Sequence, residues 1–260
     1  DAMFTMGFRY DKGEGVEADQ VKAMDWCRKA AEAGHARAMY NLGVKYFKGD
    51  GVEQDQVKAV DWFSLAAEAG EVRAMYNLGV VYGKGDGVEQ DQAKATDWYR
   101  KAAEAGDADA MFTMGVRYDV GKGVEQDQAK AVDWYRKAAE AGHARAMYNL
   151  GVQYGKGEGV EQNQVKAVDW YRKAAEAGEV RAMYNLGVVY ANGEGVEQDQ
   201  VKATDWYRKA AEAGDAQAMF TMGVRYANGE GVEQDQAKAT DWYRKAVNAK
   251  DAAAALQEKQ

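Results

Sequence analysis

The apolar positions of this chain recur on nested periods, and the shortest predicts helices. Within 146–181, AMYNLGVQYGKGEGVEQNQVKAVDWYRKAAEAGEVR, Ala146, Met147, Leu150, Gly151 and Tyr154 fall on one face at three- and four-residue spacings. Gly157 and Gly159 then break the pattern, with Val160 placed to pin the loop onto the core. The apolar spacing resumes at Ala167, Trp170, Tyr171 and Ala174, the expected buried stripe of a second helix. Asn163, Asp in the other six segments, suits its N-cap, because the side-chain oxygen can accept from unpaired backbone N–H groups. Gly178 suits the left-handed residue that follows its end. Asn163, Lys166, Asp169, Arg172 or Lys173, and Glu176 form an outer rail. Where the cap is Asp, signs alternate along it, each pair contributing only ~0.2–0.5 kcal/mol. Gly151 stands mid-helix, where it costs roughly 1 kcal/mol against Ala. A glycine at that slot in every segment points to close approach by a neighbouring helix.

The next period is 36 residues. Trp26, Trp62, Trp98, Trp134, Trp170, Trp206 and Trp242 keep that step, as do the Ala-Met pairs from Ala2-Met3 to Ala218-Met219. Seven helix-turn-helix units starting at 2, 38, 74, 110, 146, 182 and 218 fill 1–253 as one continuous domain, and 254–260 reads as a polar helical tail. One hairpin cannot bury its own apolar stripe, whereas stacked neighbours can, which predicts an all-α solenoid. Large Trp and Tyr against small Ala and Gly supply the size alternation this packing needs. A third period of 108 residues lies above these. HARAMYNLGV recurs around Ala38 and Ala146, EVRAMYNLGVVY around Ala74 and Ala182, and AMFTMGVRY at Ala110 and Ala218, as duplication of a three-repeat block would leave it.

A-M-Y-N-L-G-V-x-Y (Ala38 to Tyr46), G-x-G-V-x-Q-D (Gly49 to Asp55) and K-A-x-x-W-Y-R-K-A-A-E-A-G (Lys94 to Gly106), with their counterparts, resemble the Sel1-like repeat family, relatives of tetratricopeptide repeats. One departure is the glutamate after the loop valine, such as Glu53 and Glu89, where family members often carry proline. The resemblance implies a right-handed α/α superhelix acting as a scaffold or adaptor for other proteins. Fold alone does not fix function.

Composition narrows the partner. The chain lacks proline, and its glycines recur in register, so they mark turns. No apolar run approaches the ~18 residues of a membrane helix, and no signal-like segment opens the chain; compartment is left open. A net charge of −8 argues against nucleic acid and anionic membranes. By analogy with tetratricopeptide superhelices, the first helices line a concave face. Its expected partner-binding residues are Tyr40, Asn41, Arg73, Tyr76, Asn77, Phe112, Arg117, Arg145, Tyr148, Asn149, Arg181, Tyr184, Asn185 and Phe220. Phe4 extends the aromatic ladder. Arg9, Lys12, Arg37, Lys45, Lys48, Lys84, Lys156 and Arg225 join the arginines just named, against only Asp11, Asp109 and Asp119 in the same slots. A basic, aromatic face within an acidic protein predicts an extended acidic peptide partner.

Other chemistries lack a constellation. Ser64 is the only serine and has Ala67 three residues on, so a serine-acylase S-x-x-K pairing is missing. His35 and His143 read as exposed loop residues, and nothing beside them completes a metal-ligand set. No cofactor motif is present: the G-x-G-V-E loops lack the strand-to-helix setting of a phosphate cradle. Cys27 takes a slot held elsewhere by Tyr or Phe and reads as a small buried substitute. Some cysteine-rich relatives are linked to β-lactam binding or hydrolysis, but their paired cysteines are absent here, leaving that a remote alternative. The other alternative is a self-assembling rod. Asp1 offers no cap and the chain opens inside a repeat, as a segment cut from a longer protein would, so its N-terminal face is the expected end-to-end contact.

Overall fold

Helix ends fall where the sequence supplies groups for them. A computed structural model describes residues 2–257. First helices α1 (Ala2–Lys12), α3 (Ala36–Lys48), α5 (Val72–Lys84), α7 (Ala108–Val120), α9 (Ala144–Lys156), α11 (Val180–Asn192) and α13 (Ala216–Asn228) alternate with second helices. These are α2 (Gln20–Glu32), α4 (Gln56–Glu68), α6 (Gln92–Glu104), α8 (Gln128–Glu140), α10 (Gln164–Glu176), α12 (Gln200–Glu212) and α14 (Gln236–Gln257). Asp19, Asp55, Asp91, Asn163 and Asp199 each accept from the backbone N–H three residues on at 2.9–3.0 Å, the expected N-caps. Gly178 adopts the expected left-handed conformation, φ 88°.

From α3 onward the first helices begin two residues before the Ala-Met pairs, where the apolar pattern alone does not disclose a start. Asp107 and Asp215 accept from the N–H of Ala110 and Ala218 at 2.7 and 2.6 Å. His35 and His143 do the same through Nδ1 at 3.2 Å, so these histidines are helix caps rather than plain loop residues. The first glutamine of each E-Q-D/N-Q run closes the other end: Gln54, Gln90 and Gln162 donate to the carbonyls of Phe47, Gly83 and Gly155. In α14, Lys250 replaces the glycine that ends other second helices, and the helix continues through part of the expected tail. Residues 258–260 of that tail, and Asp1, lie outside the described residues.

The contacts divide the chain into two units, one ending at Asp127 and the other beginning at Gln128. In the first, α1 packs on α2, α3 on α4 and α5 on α6, and α2, α4 and α6 pack on the next first helix. Its core includes Ala59, Val60, Phe63 and Ala66 of α4 against Ala74, Leu78 and Val81 of α5. In the second unit Ala167, Val168, Tyr171 and Ala174 of α10 meet Ala182, Leu186 and Val189 of α11 in the same way. Loop valines Val52, Val88 and Val196 pack against these clusters.

Two of the expected stripe residues behave differently from their neighbours. Tyr171 is buried, whereas Trp170 and its equivalents are half-buried. Trp98 leans on the α4–α5 cluster and Trp206 on the α10–α11 cluster, each shared between its own repeat and the one before. Their other faces lie under the ammonium groups of Lys101 and Lys209, each 4.0 Å from the ring centroid. The indoles thus join core to solvent instead of filling the core.

The mid-helix glycine faces an aromatic ring of its own hairpin. A Cβ on Gly151 would lie 2.5 Å from the Tyr171 ring, and on Gly79 2.7 Å from Tyr99. We expect Gly151→Ala to destabilise by about 1–3 kcal/mol, because overpacking a rigid ring exceeds the roughly 1 kcal/mol gain in helix propensity. Urea denaturation measures the sign; net stabilisation would show that the ring can yield.

The N-cap bonds also predict a pH dependence. The backbone N–H three residues on holds Asp19, Asp55, Asp199 and Asp235 below the usual carboxylate range. A lowered native pKa contributes stability above the unfolded value of about 3.9 and loses it as pH falls through the native value. Thermal melts between about pH 5 and 2 are expected to show that loss. Replacing the four aspartates by Asn, the natural cap at 163, is expected to flatten it.

Candidate functional site

Short Ala-X-Ala-Met starts place one long polar side chain and one aromatic on the same face of each first helix. In the first unit Arg37 and Arg73 are exposed in the first turns of α3 and α5, and Tyr40, Asn41, Tyr76 and Asn77 follow half-buried. In the second, Arg145 and Arg181 are exposed, with Tyr148, Asn149, Tyr184 and Asn185 half-buried behind them. Phe112 is half-buried and Phe220 is 51% exposed.

One side of each aromatic is fixed by the second helix of its own repeat. Tyr40 meets Phe63 at 6.0 Å between ring centroids, Tyr76 meets Tyr99 at 5.3 Å, and Tyr148 meets Tyr171 at 5.9 Å. Tyr184 and Phe220 meet Tyr207 and Tyr243, both at 5.3 Å. Burial pushes the phenols of Tyr99, Tyr171 and Tyr207 up to about 12, so they are neutral at neutral pH. The other side of the ladder meets an arginine from the following repeat. The Arg181 guanidinium lies 4.5 Å from the Tyr148 centroid, and that of Arg37 lies 5.8 Å from Phe4. Arg37, Tyr40, Glu71 and Arg73 line a shared recess of about 200 Å³. Arg181 also holds the Glu179 carboxylate at 2.8 Å, which raises its pKa.

Arg117 does not belong to this face. It is 5% exposed and turned into the interface between α6 and α7. Its Nε donates to Thr96 Oγ1 at 2.7 Å, and one terminal nitrogen donates to the Gln92 carbonyl at 2.7 Å and to Gln92 Oε1 at 3.0 Å. Arg225 repeats the arrangement with Thr204 and Gln200, at 2.6, 3.0 and 2.7 Å. Both lie over the ring of a buried tyrosine, Tyr99 or Tyr207. Their slot is held by Val81 and Val189, both buried, in other repeats. A buried guanidinium needs its donors satisfied, and threonine with glutamine takes three of the five. These two arginines are therefore structural. Further cations have local partners: Lys12 with Asp11 at 2.9 Å, Lys45 with Asp50 at 3.6 Å, and Lys156 with Glu158 at 3.7 Å. The positive field of the face is thinner than the sequence suggests and is concentrated at the first turns.

Elsewhere, Ser64 donates to the Val60 carbonyl of its own helix at 2.9 Å. Among the described residues no three metal-ligating side chains converge, and no helix is long and apolar enough to cross a membrane. Cys27 is buried, and burial pushes its thiol pKa up.

The family model for the Sel1 repeat matches seven consecutive segments, 1–35, 36–71, 72–107, 108–143, 144–179, 180–215 and 216–251. Among solved structures, a protective antigen present in uropathogenic Escherichia coli strains, displaying an SLR fold, is 39% identical with a TM-score of 0.91. That match covers 95% of this chain and 53% of the antigen, so the chain spans about half of its relative's length. A Sel1 repeat protein from Oxalobacter formigenes is 35% identical over 95% of this chain and 99% of its own, with a TM-score of 0.80. An immunity protein from Pseudomonas aeruginosa is 25% identical over 85% of this chain and 82% of its own, TM-score 0.50. A comparison with curated protein sequences returned no match.

The buried Arg117 cluster makes a pairwise prediction. Thr96→Val leaves guanidinium donors without their acceptor and is expected to cost about 1–3 kcal/mol. The double change Thr96→Val with Arg117→Val recreates the Val60 and Val81 pair of the preceding interface and is expected to recover most of that loss. A double-mutant cycle by urea denaturation measures the coupling; additive losses would show that the two residues act separately.

Proposed function

Because the chain belongs to the Sel1 repeat family, whose repeats generally form protein-interaction scaffolds, we propose that it binds an extended acidic segment of a protein along the first-helix face. The observation that carries this reading is the placement of exposed first-turn arginines beside the aromatic ladder, closely at Arg181, 4.5 Å from the Tyr148 centroid, and more loosely at Arg37, 5.8 Å from Phe4, whose ring stacks on His35. A cation in the first turn meets the positive end of the helix dipole and is disfavoured there by about 0.3–1 kcal/mol. The ring and the nearby Glu179 offset part of that cost for Arg181. A guanidinium beside a ring keeps N–H donors for a carboxylate; in Arg181 the Nε donor is taken by Glu179, so the two terminal nitrogens would pair with the partner. Apolar side chains of the bound segment would rest on Tyr40, Tyr76, Tyr148 and Tyr184, with Asn41, Asn77, Asn149 and Asn185 bonding its backbone. On this reading the protein is a binder and not an enzyme.

The 108-residue period supports one such patch in each unit: Arg37, Tyr40, Arg73 and Tyr76 in the first, Arg145, Tyr148, Arg181 and Tyr184 in the second. A second reading, end-to-end self-association through α1, rests on Met3 and Phe8, 43% and 47% exposed. A mass independent of concentration in sedimentation would count against it.

The test is capture of a partner from source lysate at low and high salt, beside a variant with Tyr40, Tyr76, Tyr148 and Tyr184 changed to Ala. The expected outcome is capture by the parent, release by salt because exposed charges are screened, and loss in a still-helical variant. Titration of the captured segment is expected to give two equivalents per chain. Capture that survives both salt and the tyrosine changes would place the interaction elsewhere.

A further inference from the structure

Six second helices carry an aromatic ring at one slot, and α2 carries Cys27 there. In five of the other hairpins that ring lies against the mid-helix glycine, as the 2.5–2.7 Å positions of a Cβ built on Gly43, Gly79, Gly151, Gly187 and Gly223 show. At Gly7 no ring is met. The nearest atoms are Ala23 O and Cys27 N, each 3.3 Å away. The equivalent approach to Ala59 O from Gly43, or to Ala167 O from Gly151, is 3.2 Å. The α1–α2 hairpin thus keeps the separation of hairpins that contain a ring.

The space has not closed by collapse. A solvent-open cavity of about 290 Å³ occupies it, bounded among others by Phe4, Gly7, Cys27, Tyr40, Asn41 and Lys45. Several of these residues hold the slots that serve a tyrosine elsewhere. Phe4 stands where Tyr76 meets the Tyr99 ring. Asn41 stands where Asn185 acts as hydrogen-bond partner of the Tyr171 hydroxyl. Lys45 stands where Arg117 and Arg225 lie 5.3 and 5.4 Å from the Tyr99 and Tyr207 centroids. The glycine floor, the aromatic wall, the amide for a hydroxyl and the cation for a π face are all present without the ring. Cys27 fills little of the gap, and its thiol donates only to the Ala38 carbonyl at 3.7 Å.

We propose that this pocket is a receptor site for a phenol ring, which enters where the other repeats carry their own tyrosine. The ring comes either from a tyrosine side chain of a partner or from a free phenolic molecule. An apolar cavity of about 150 Å³ is known to take up benzene; here the polar groups select the hydroxylated ring. The site needs none of the exposed first-turn arginines, but it shares Tyr40 and Asn41 with the proposed acidic-segment face.

Ligand-observed NMR titrations with p-cresol, toluene and N-acetyl-tyrosinamide test it. Saturable binding of p-cresol is expected, roughly five- to tenfold tighter than toluene for one hydrogen bond. Asn41→Ala is expected to erase that preference. Cys27→Tyr supplies the ring from within and is expected to abolish binding. In the unmodified protein p-cresol is expected to slow alkylation of Cys27 by iodoacetamide, a readout that does not depend on any variant folding. Binding of N-acetyl-tyrosinamide as well as p-cresol identifies a tyrosine side chain as a fitting source, and binding of p-cresol alone restricts the site to small phenols. No saturable binding, equal binding of toluene, binding indifferent to Cys27→Tyr, or an alkylation rate of the unmodified protein indifferent to p-cresol would overturn the proposal.

Discussion

Close approach of the second helix to a mid-helix glycine, filled in most hairpins by an aromatic ring, is the constraint on which the rest of the hairpin depends. Removing one Cβ lets the Tyr99 ring lie against the backbone of α5, and the Tyr171 ring against α9. The glycine lowers helix propensity by roughly 1 kcal/mol, so it persists only where close approach gives more. That approach orders the side chains stacked outside it. With the second-helix ring fixed, the first-helix tyrosine has a surface to lean on, seen in Tyr76 on Tyr99 and Tyr184 on Tyr207. With the tyrosine fixed, the next repeat's arginine has a ring to stack on, as Arg181 does on Tyr148. A core constraint is carried outward, one side chain at a time, to an exposed polar face.

The interfaces between repeats tolerate two chemistries at one position. Val60 with Val81 packs the α4–α5 interface with apolar groups alone. The α6–α7 interface places Thr96 and Arg117 in the equivalent slots and satisfies the charge with Gln92. Replacing a buried polar group by an apolar pair of similar shape is often near neutral, whereas changing one partner is not. Divergence to arginine at this position comes with paired change, which the chain displays twice, as Thr204 with Arg225 repeats Thr96 with Arg117; glutamine enters the slot at Gln153 with Val132 unchanged and reaches Gln128 instead.

That pairing is legible in the sequence, though not from helix faces alone. The 36-residue period, the hairpins, the aspartate caps and the left-handed glycines follow from local rules, because one segment contains every atom the rule needs. Helix geometry puts Arg117 on the open face only because its slot lies on the border of two stripes. The decisive information lies 21 positions earlier, where threonine replaces valine in both repeats whose partner slot holds a buried arginine. His35 and His143 escape recognition as caps for a related reason: their slot holds Asp or Glu elsewhere, and only comparison of repeats shows that an acceptor is the shared property. Size alone sends the tryptophans to the core, but the lysine three residues on holds the indole at the boundary.

Near-identical repeats make each exception interpretable, because the other copies state what the slot normally contains. At Cys27 the copies specify a ring, its floor and its hydrogen-bond partner, and the structure keeps most of that set while the ring is gone. An isolated cavity beside a cysteine would carry no such information, since its size and lining could arise from loose packing. Here the unchanged 3.3 Å approach of α1 to α2 shows that the surrounding contacts hold the hairpin open. The same comparison separates the two kinds of arginine. Arg117 and Arg225 meet buried acceptors, so their charge is answered inside the fold. Arg37 and Arg181 stand exposed at helix starts, where the dipole disfavours them, each near a ring of the preceding repeat. A cation placed against the local electrostatics, and held ready by an aromatic ring, is the part of the repeat that the fold itself does not require.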